Sequence, residues 1–302
     1  MEFIMNDIKN YVRENDIKFI RLAFCDVFGN LKNLSIMGDE LENAFTSGIP
    51  FDASSLQGFL NEDESDLYLF PDASTIALLP WRPQQGRVVR FYCDIKKGSG
   101  EDFEDGRFLL KKAVKKVEEM GLSLKFSASC EFYLFKKDED GAPTLIPFDE
   151  GGYLDMAPAD RGENIRREIC LTLEQMGIRP ITSHHEHGPG QNEIEFEKSN
   201  ALECADNITT FKTVVNTVAD RNGLAASFLP KPLTDHSGNA MPINISLYKD
   251  GKNLFDKNNF GNLAGSFLAG IFNRISEMTL FFNSHETSYH RFGTFKAPKY
   301  IS

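Results

Sequence analysis

The sequence predicts an α+β chain in two parts. Three observations carry this reading. The first hundred residues hold short β-type segments separated by turn signals, and the remainder alternates amphipathic helical stripes with period-two strands. No internal repeat or low-complexity tract interrupts either pattern. At 302 residues and 41% hydrophobic content, the chain can bury a sizeable core in one large domain or two smaller ones.

In the first part, residues 18–24 and 31–36 flank Gly29-Asn30, a hairpin signal because both residues tolerate a positive φ. A short helix is expected over residues 39–44, with strands near 67–70, 74–79 and 88–93. Residues 96–102 are polar and carry Gly98 and Gly100, so they read as the junction between domains spanning 1–97 and 104–302.

In the second part, Leu109, Leu110, Ala113, Val114 and Val117 keep helical spacing, and Gly121 sits where a C-cap belongs. Asp160 with Glu163 reads as a capping box ahead of Ile165, Ile169 and Leu173. Ile208, Phe211, Val215 and Val218 form another stripe, closed by Asn222-Gly223, and Phe267, Ile271 and Ile275 a further one. All these stripes read as core.

A net charge of −11 argues against nucleic acid and anionic membrane as partners. The first seven residues lack the basic and apolar regions of a signal peptide, and no apolar run approaches the ~20 residues of a membrane helix. Cys25, Cys93, Cys130, Cys170 and Cys204 are scattered without a Cys-x-x-Cys pair, which suits packing roles in a reducing compartment. The expectation is a cytoplasmic protein.

The chemistry concentrates on polar strand faces. Over residues 122–134 the even positions Leu124, Phe126, Ala128, Cys130 and Phe132 are apolar, so Ser127, Ser129 and Glu131 share the opposite face. After Gln191, Glu193 and Glu195 point one way while Ile194 and Phe196 point the other. Pro242, Asn244 and Ser246 share a face in a third strand. Between these lies Ser183-His184-His185-Glu186-His187-Gly188-Pro189-Gly190-Gln191-Asn192-Glu193, where a turn can bring Glu186 near Glu193. Hard divalent cations prefer such carboxylate oxygens.

That segment resembles the His-His-Glu…Gly-Gln-x-Glu metal segment of the glutamine synthetase family. Phe51-Asp52-Ala53-Ser54-Ser55 is similar to its Phe-Asp-Gly-Ser-Ser loop, and Gly152-Tyr153-Leu154-Asp155 through Asp160-Arg161-Gly162-Glu163-Asn164 to its Gly-Tyr-Phe-Asp…Asp-x-Gly-Glu-Asn segment. Phe228-Leu229-Pro230-Lys231-Pro232 and Ser288-Tyr289-His290-Arg291 follow in family order, so the likeness runs from about residue 17 to 300, to a type I-like bacterial or archaeal form. The resemblance implies a β-grasp-like N-terminal domain and a catalytic domain on a curved antiparallel sheet. It also implies ATP-dependent amide formation from glutamate and ammonia, with Mg²⁺ or Mn²⁺. Glu131, Glu186 and Glu193 would hold a first ion, Asn244 and Ser246 would contact nucleotide, and Gly238 and Arg291 would contact a glutamate-like substrate. Asp52 matches an ammonium-side aspartate supplied to the neighbouring subunit; read from the residues alone, it is equally an Asx-turn residue before Ser54-Ser55.

Besides Ala53 for Gly and Leu154 for Phe, four functional positions depart from the family pattern. Ser129 and Pro242 stand where the family has Glu and His ligands of a second ion, and neither replaces them. Lys296 stands where a Glu helps deprotonate ammonium, and Ile181 where an acidic residue contacts nucleotide. By the resemblance, the third second-ion ligand and several substrate arginines lie beyond residue 302. These departures imply one ion per subunit and a weakly active or inactive member. The alternatives are a ligase acting with ammonia or another amine whose tail is absent from this chain, and a non-catalytic ligand-sensing or assembly partner. The expected assembly is a homo-oligomeric ring, or a mixed ring with a paralogue.

Overall fold

The computed structural model describes residues 2–59, 66–284 and 286–294, which divide into two compact units. The first comprises Met1–Lys115 with Gln175–Gly177, and the second Lys116–Glu174 with Ile178–Ser302.

The first unit opens with helix α1 (Glu2–Glu14), followed by β1 (Ile17–Cys25) and β2 (Leu31–Met37). These strands form the expected antiparallel hairpin, and Gly29 takes φ +77° in its turn. Helix α2 (Leu41–Thr46) continues a 3₁₀ turn over Gly38–Glu40. Then come β3 (Ile49–Asp52), β4 (Asp66–Pro71), β5 (Ala77–Leu78) and β6 (Arg87–Lys97). The sheet order is β2-β1-β6-β4-β3, with β1 and β6 parallel at its centre, a β-grasp arrangement. Ile20, Leu22, Leu67, Leu69, Val89 and Phe91 are fully buried in its core, together with Ile8 of α1 and Leu41 and Ala44 of α2.

Two local expectations change here. The strand anticipated over 74–79 is a 3₁₀ turn (Ala73–Thr75) and the two-residue β5, because the Asp72 carboxylate accepts from the Ser74 amide at 3.1 Å and caps that turn. Helix α1 was not anticipated: Met5, Ile8 and Val12 form a stripe too short to stand out in the sequence. Residues 96–103 fold back on β6, with the Phe103 amide donating to the Ile95 carbonyl at 2.9 Å.

Helix α3 (Gly106–Glu119) leads into the second unit and ends at Gly121, φ +71°. The second unit is organised by β7 (Ser123–Lys137), a strand of 15 residues. Around it lie β8 (Pro143–Pro147), β9 (Pro180–His185), β10 (Gln191–Phe196), β11 (Ser199–Asn200), β12 (Leu224–Ser227), β13 (Ile243–Lys249) and β14 (Lys252–Asn253). The order is β14-β13-β7-β10-β9, and β8, β11 and β12 also pair with β7, all antiparallel. Helix α4 (Glu163–Gln175) buries Ile165, Ile169 and Leu173. Helix α5 (Ala201–Arg221) covers the even-numbered face of β7: Phe211 meets Phe132 at 6.0 Å and Phe196 at 5.9 Å between ring centroids. Its N-terminus is capped by Asn200, whose side chain accepts from the Glu203 amide at 2.9 Å, an interaction worth about 1 kcal/mol. Helix α6 (Asn262–Phe282) follows.

Three further expectations are corrected in this unit. Asp160 and Glu163 do not form a capping box; the Asp160 carboxylate accepts from the Gly162 amide and forms a buried ion pair with Arg166. The α6 stripe of Phe267, Ile271 and Ile275 is only half-buried, with Phe267 against Phe255, and Ala264 is the buried residue of the helix. Of the cysteines, Cys93, Cys130 and Cys204 are buried, but Cys25 and Cys170 only partly so. Among the described residues, no helix is long and apolar enough to cross a membrane.

Candidate active site

The register of β7 brings the polar faces together. Glu193 lies directly opposite Glu131 and Glu195 opposite Ser129 across the β7–β10 ladder. On the other side, Asn244 opposes Ser127 and Ser246 opposes Lys125. Alternation then places Ser127, Ser129, Glu131, Glu193, Glu195, Asn244 and Ser246 on one face, while Ala128, Cys130, Phe132 and Ile194 face the core. One strand, paired on both sides, thus joins the three polar faces that the sequence suggested separately.

Glu186 follows β9 directly. Its amide donates to the Gln191 carbonyl at 2.7 Å, closing the Gly-Pro-Gly turn, and its Oε2 accepts from the His187 amide at 3.0 Å. His184, near the end of β9, lies between two carboxylates: Nδ1 is 3.7 Å from Glu186 Oε1 and Nε2 is 3.7 Å from Glu193 Oε2. The ligand atoms of His184, Glu186 and Glu193 all fall within 4.8 Å of one another, a spacing that can hold a metal ion. Glu131 sits beside this group rather than in it. Its Oε2 accepts from the Ala240 amide at 2.9 Å and from Gln191 Nε2 at 3.0 Å.

The electrostatics are those of crowded, partly buried carboxylates. Burial, with the neighbouring Glu186 and Glu193 carboxylates, raises the Glu131 carboxyl to about 7, against the pull of the Ala240 amide. Burial also raises Glu193, and Glu186 adds to the shift, while hydrogen bonding from Ser129 and the charge of His184 oppose it. A divalent cation among these oxygens would reverse the balance, so the residues fit a hard metal. At the positions expected to be degenerate, the Ser129 hydroxyl serves Glu193. Pro242 offers only its carbonyl, which accepts from the Ser129 amide at 3.2 Å. Ile181 lies on β9, 56% exposed. Lys296 lies outside the described residues.

The Gly238 segment is held firmly against this face. Tyr133 Oη donates to the Ser237 carbonyl at 2.6 Å, and Gln191 Nε2 reaches the Gly238 carbonyl at 3.3 Å and Asn239 Oδ1 at 3.1 Å. Asn239 Nδ2 in turn donates to the carbonyls of Ser227 and Leu229. A Cβ on Gly238 would stand 2.4 Å from the Pro230 carbonyl oxygen and 3.1 Å from the Arg291 side chain, so only glycine fits. Arg291 therefore lies against Gly238, and its charge favours ionised Glu131.

Asp52 lies in the first unit. Its carboxylate accepts from the Ser54 amide at 3.0 Å, the Ser54 hydroxyl at 2.6 Å and the Ser55 hydroxyl at 3.1 Å, which is Asx-turn geometry. These bonds hold it below the usual aspartate range.

Sequence reasoning gave no role to Gln191, the side chain that ties Glu131 to the Gly238 segment. Its place two residues before Glu193 in an alternating strand was an available signal. It also missed the support beneath Glu186. His185, fully buried, meets Asp149 Oδ1 through Nε2 at 2.8 Å and the Glu186 carbonyl through Nδ1 at 2.7 Å. Asp149 also accepts from the amides of Gly190 at 2.9 Å and Arg161 at 3.0 Å, so one carboxylate fixes both ends of the turn.

Comparison with known proteins agrees with this geometry. Residues 16–98 match the glutamine synthetase beta-Grasp domain and residues 103–302 the glutamine synthetase catalytic domain. The chain is 45% identical to a glutamine synthetase of Clostridium saccharobutylicum, over 100% of this chain and 69% of the relative. It is 43% identical to one of Methanosarcina mazei, over 98% of this chain and 68% of the relative. Among solved structures, GmaS in complex with ADP superposes with a TM-score of 0.86 at 26% identity, over 97% of this chain and 68% of that one. With both domains matched in order and the carboxylate-lined strand face in place, the chain belongs to the glutamine synthetase family.

Proposed function

We propose that this protein binds one divalent cation, Mg²⁺ or Mn²⁺, together with a glutamate-like ligand and ATP or ADP, and that its glutamate–ammonia ligase turnover is weak or absent. The observation that carries the proposal is the contrast along one strand face. His184, Glu186 and Glu193 cluster with Glu131 beside them, whereas the adjoining position holds Ser129, already hydrogen-bonded to Glu193, and Pro242, with no side-chain ligand. In this reading Glu186, Glu193 and Glu131 hold the ion, with His184 beside them. Arg291 and Gly238 receive the substrate carboxylate, and Asn244 and Ser246 face the nucleotide. A bound cation would offset the carboxylate charge and orient the substrate.

Family membership brings with it ATP and divalent-metal use and oligomeric assembly. We extend this to a cytoplasmic ring of identical subunits or a mixed ring with a paralogue, in which Asp52 serves a neighbouring site. Phosphoryl transfer needs charge neutralisation at the phosphate oxygens, and ammonia attack needs a proton acceptor. Ser129, Pro242 and Lys296 weaken both. Each such loss is worth on the order of 3 kcal/mol, about a hundredfold in rate.

The test is glutamate- and ammonia-dependent phosphate release from ATP, with Mg²⁺ and with Mn²⁺. Turnover more than ~10⁴-fold below an ordinary ligase, for two such losses, is expected. Ser129→Glu, Pro242→His and Lys296→Glu, combined with the family's C-terminal tail, should recover part of it, while any one change alone should not. Turnover near one per second, within the ordinary enzyme range, would overturn the proposal.

A further inference from the structure

Glu186 is tied down by the residue that follows it. Its Oε2 accepts twice from His187, from the backbone amide at 3.0 Å and from ring Nδ1 at 2.8 Å. An ionised carboxylate only accepts, so Nδ1 carries the proton of that ring. The other oxygen, Oε1, lies toward His184, 3.7 Å from its Nδ1, on the side of the cluster that can hold a cation. The Glu186 side chain is 11% exposed, but that of His187 is 48% exposed. An imidazole so open to solvent holds one orientation only if something packs on it. Tyr153 does so: its ring stacks on His187 with centroids 4.7 Å apart and planes 16° from parallel, and meets His184 edge-on at 5.5 Å. The segment carrying this tyrosine is pinned in turn. The Leu154 amide donates to the His185 carbonyl at 3.1 Å, and the Gly152 amide to the Asp155 carboxylate at 2.8 Å. Leu154 takes φ +62°, a conformation that a bulky side chain keeps only where its surroundings fix it.

We propose that His187 is a positioning residue which, braced by Tyr153, engages one oxygen of Glu186 and leaves the other aimed at a divalent cation. This rests on the reading that Glu186 and Glu193 hold that ion. His187 acts through Glu186 rather than on the ion, because its Nδ1 already serves the carboxylate. Without that bond Oε2 loses one of its two tethers, and the terminal torsion of a glutamate is broad and roughly two-fold. The carboxylate would then have to be ordered as the ion binds, at a cost in affinity. Hydrogen-bond partners that orient metal ligands are commonly worth ~10- to 100-fold in metal affinity. His187 thus sets how tightly the ion is held without touching it.

Two substitutions separate the hydrogen bond from the stacking. His187→Phe keeps a ring to lie on Tyr153 and removes the donor. His187→Asn removes the ring, and its side-chain amide can donate from near the Nδ1 position. Calorimetric titration of the full chain with Mn²⁺ should show binding weakened at least ~10-fold in His187→Phe, with His187→Asn keeping most of the wild-type affinity. Because His187 is exposed, both variants should unfold at the wild-type temperature when no metal is present. Affinity that His187→Phe leaves unchanged, or that both variants lose alike, overturns the inference while the metal reading stands. So does a loss of affinity that tracks a lowered unfolding temperature, which would make the histidine a general prop of the fold. No binding of Mn²⁺ by the wild-type chain overturns the inference and the metal reading together.

Discussion

Glu131 and Glu193 are direct cross-strand partners on the same face of the β7–β10 ladder. Like charges placed opposite each other destabilise a sheet, and both carboxyls here are raised above their ordinary values, chiefly by burial. The proposed cation would relieve that repulsion.

Titration of the purified chain with Mn²⁺ should therefore reveal a single site. Glu193→Ala should abolish it, and His184→Ala should weaken it by roughly 10-fold or more, in line with loss of a ligand or its support. Affinity should rise as pH increases through 7, because protons compete for Glu131. Two tight, separable sites would show that some residue other than Ser129 and Pro242 completes a second one.

The Asp149–His185 pair gives a second, acid-range signature. Burial opposes ionisation of Asp149, but the His185 hydrogen bond and the Arg161 amide outweigh it and bring the carboxyl down to about 2. A depressed carboxyl contributes stability that is full above its unfolded value near 4 and is lost as pH falls through the folded value. Asp149→Asn should thus cost on the order of 2 kcal/mol at pH 6, and the gap to wild type should close between about pH 4 and pH 2. Chemical denaturation across that range measures it. A gap that stays constant to pH 2 would assign the effect to packing.

Assembly offers a test independent of the site. Heterologous contacts between the β-grasp unit of one subunit and the catalytic unit of the next would build rings or arcs. Light scattering at high micromolar concentration should show species well above the 34.0 kDa chain mass. Monomer alone would remove the setting in which Asp52 could act at a neighbouring site, leaving its Asx turn as its whole role.

The fold was legible where a single period governs a segment. The alternation over 122–134 predicted the buried face of β7, and the Ile208, Phe211, Val215 and Val218 stripe predicted the buried side of α5, because burial on one face imposes those patterns. Local hydrogen bonding hid the turn at Ala73–Thr75, since an Asp72 cap reads in sequence like any polar residue ahead of a strand. The stripe on α6 found the more covered side of the helix but not how far it is covered, because periodicity reports a face and not the depth of its burial. At the site, the carboxylates were visible but their partners were not. Gln191 to Asn239 and Asp149 to His185 span 48 and 36 positions, and nothing local in the sequence marks such bonds.

β7 pairs with β8, β10, β11, β12 and β13, so a slip of one residue would turn Ala128, Cys130 and Phe132 toward solvent. The inward side chains are enough to hold that register. The outward ones are less constrained: a change at the partly exposed Ser129 or Glu195 alters which ions the surface attracts but leaves those inward contacts in place. Such a strand lets a lineage discard one reaction and try another on an unaltered frame. A protein of this build can therefore change the chemistry of its exposed strand face while keeping its shape.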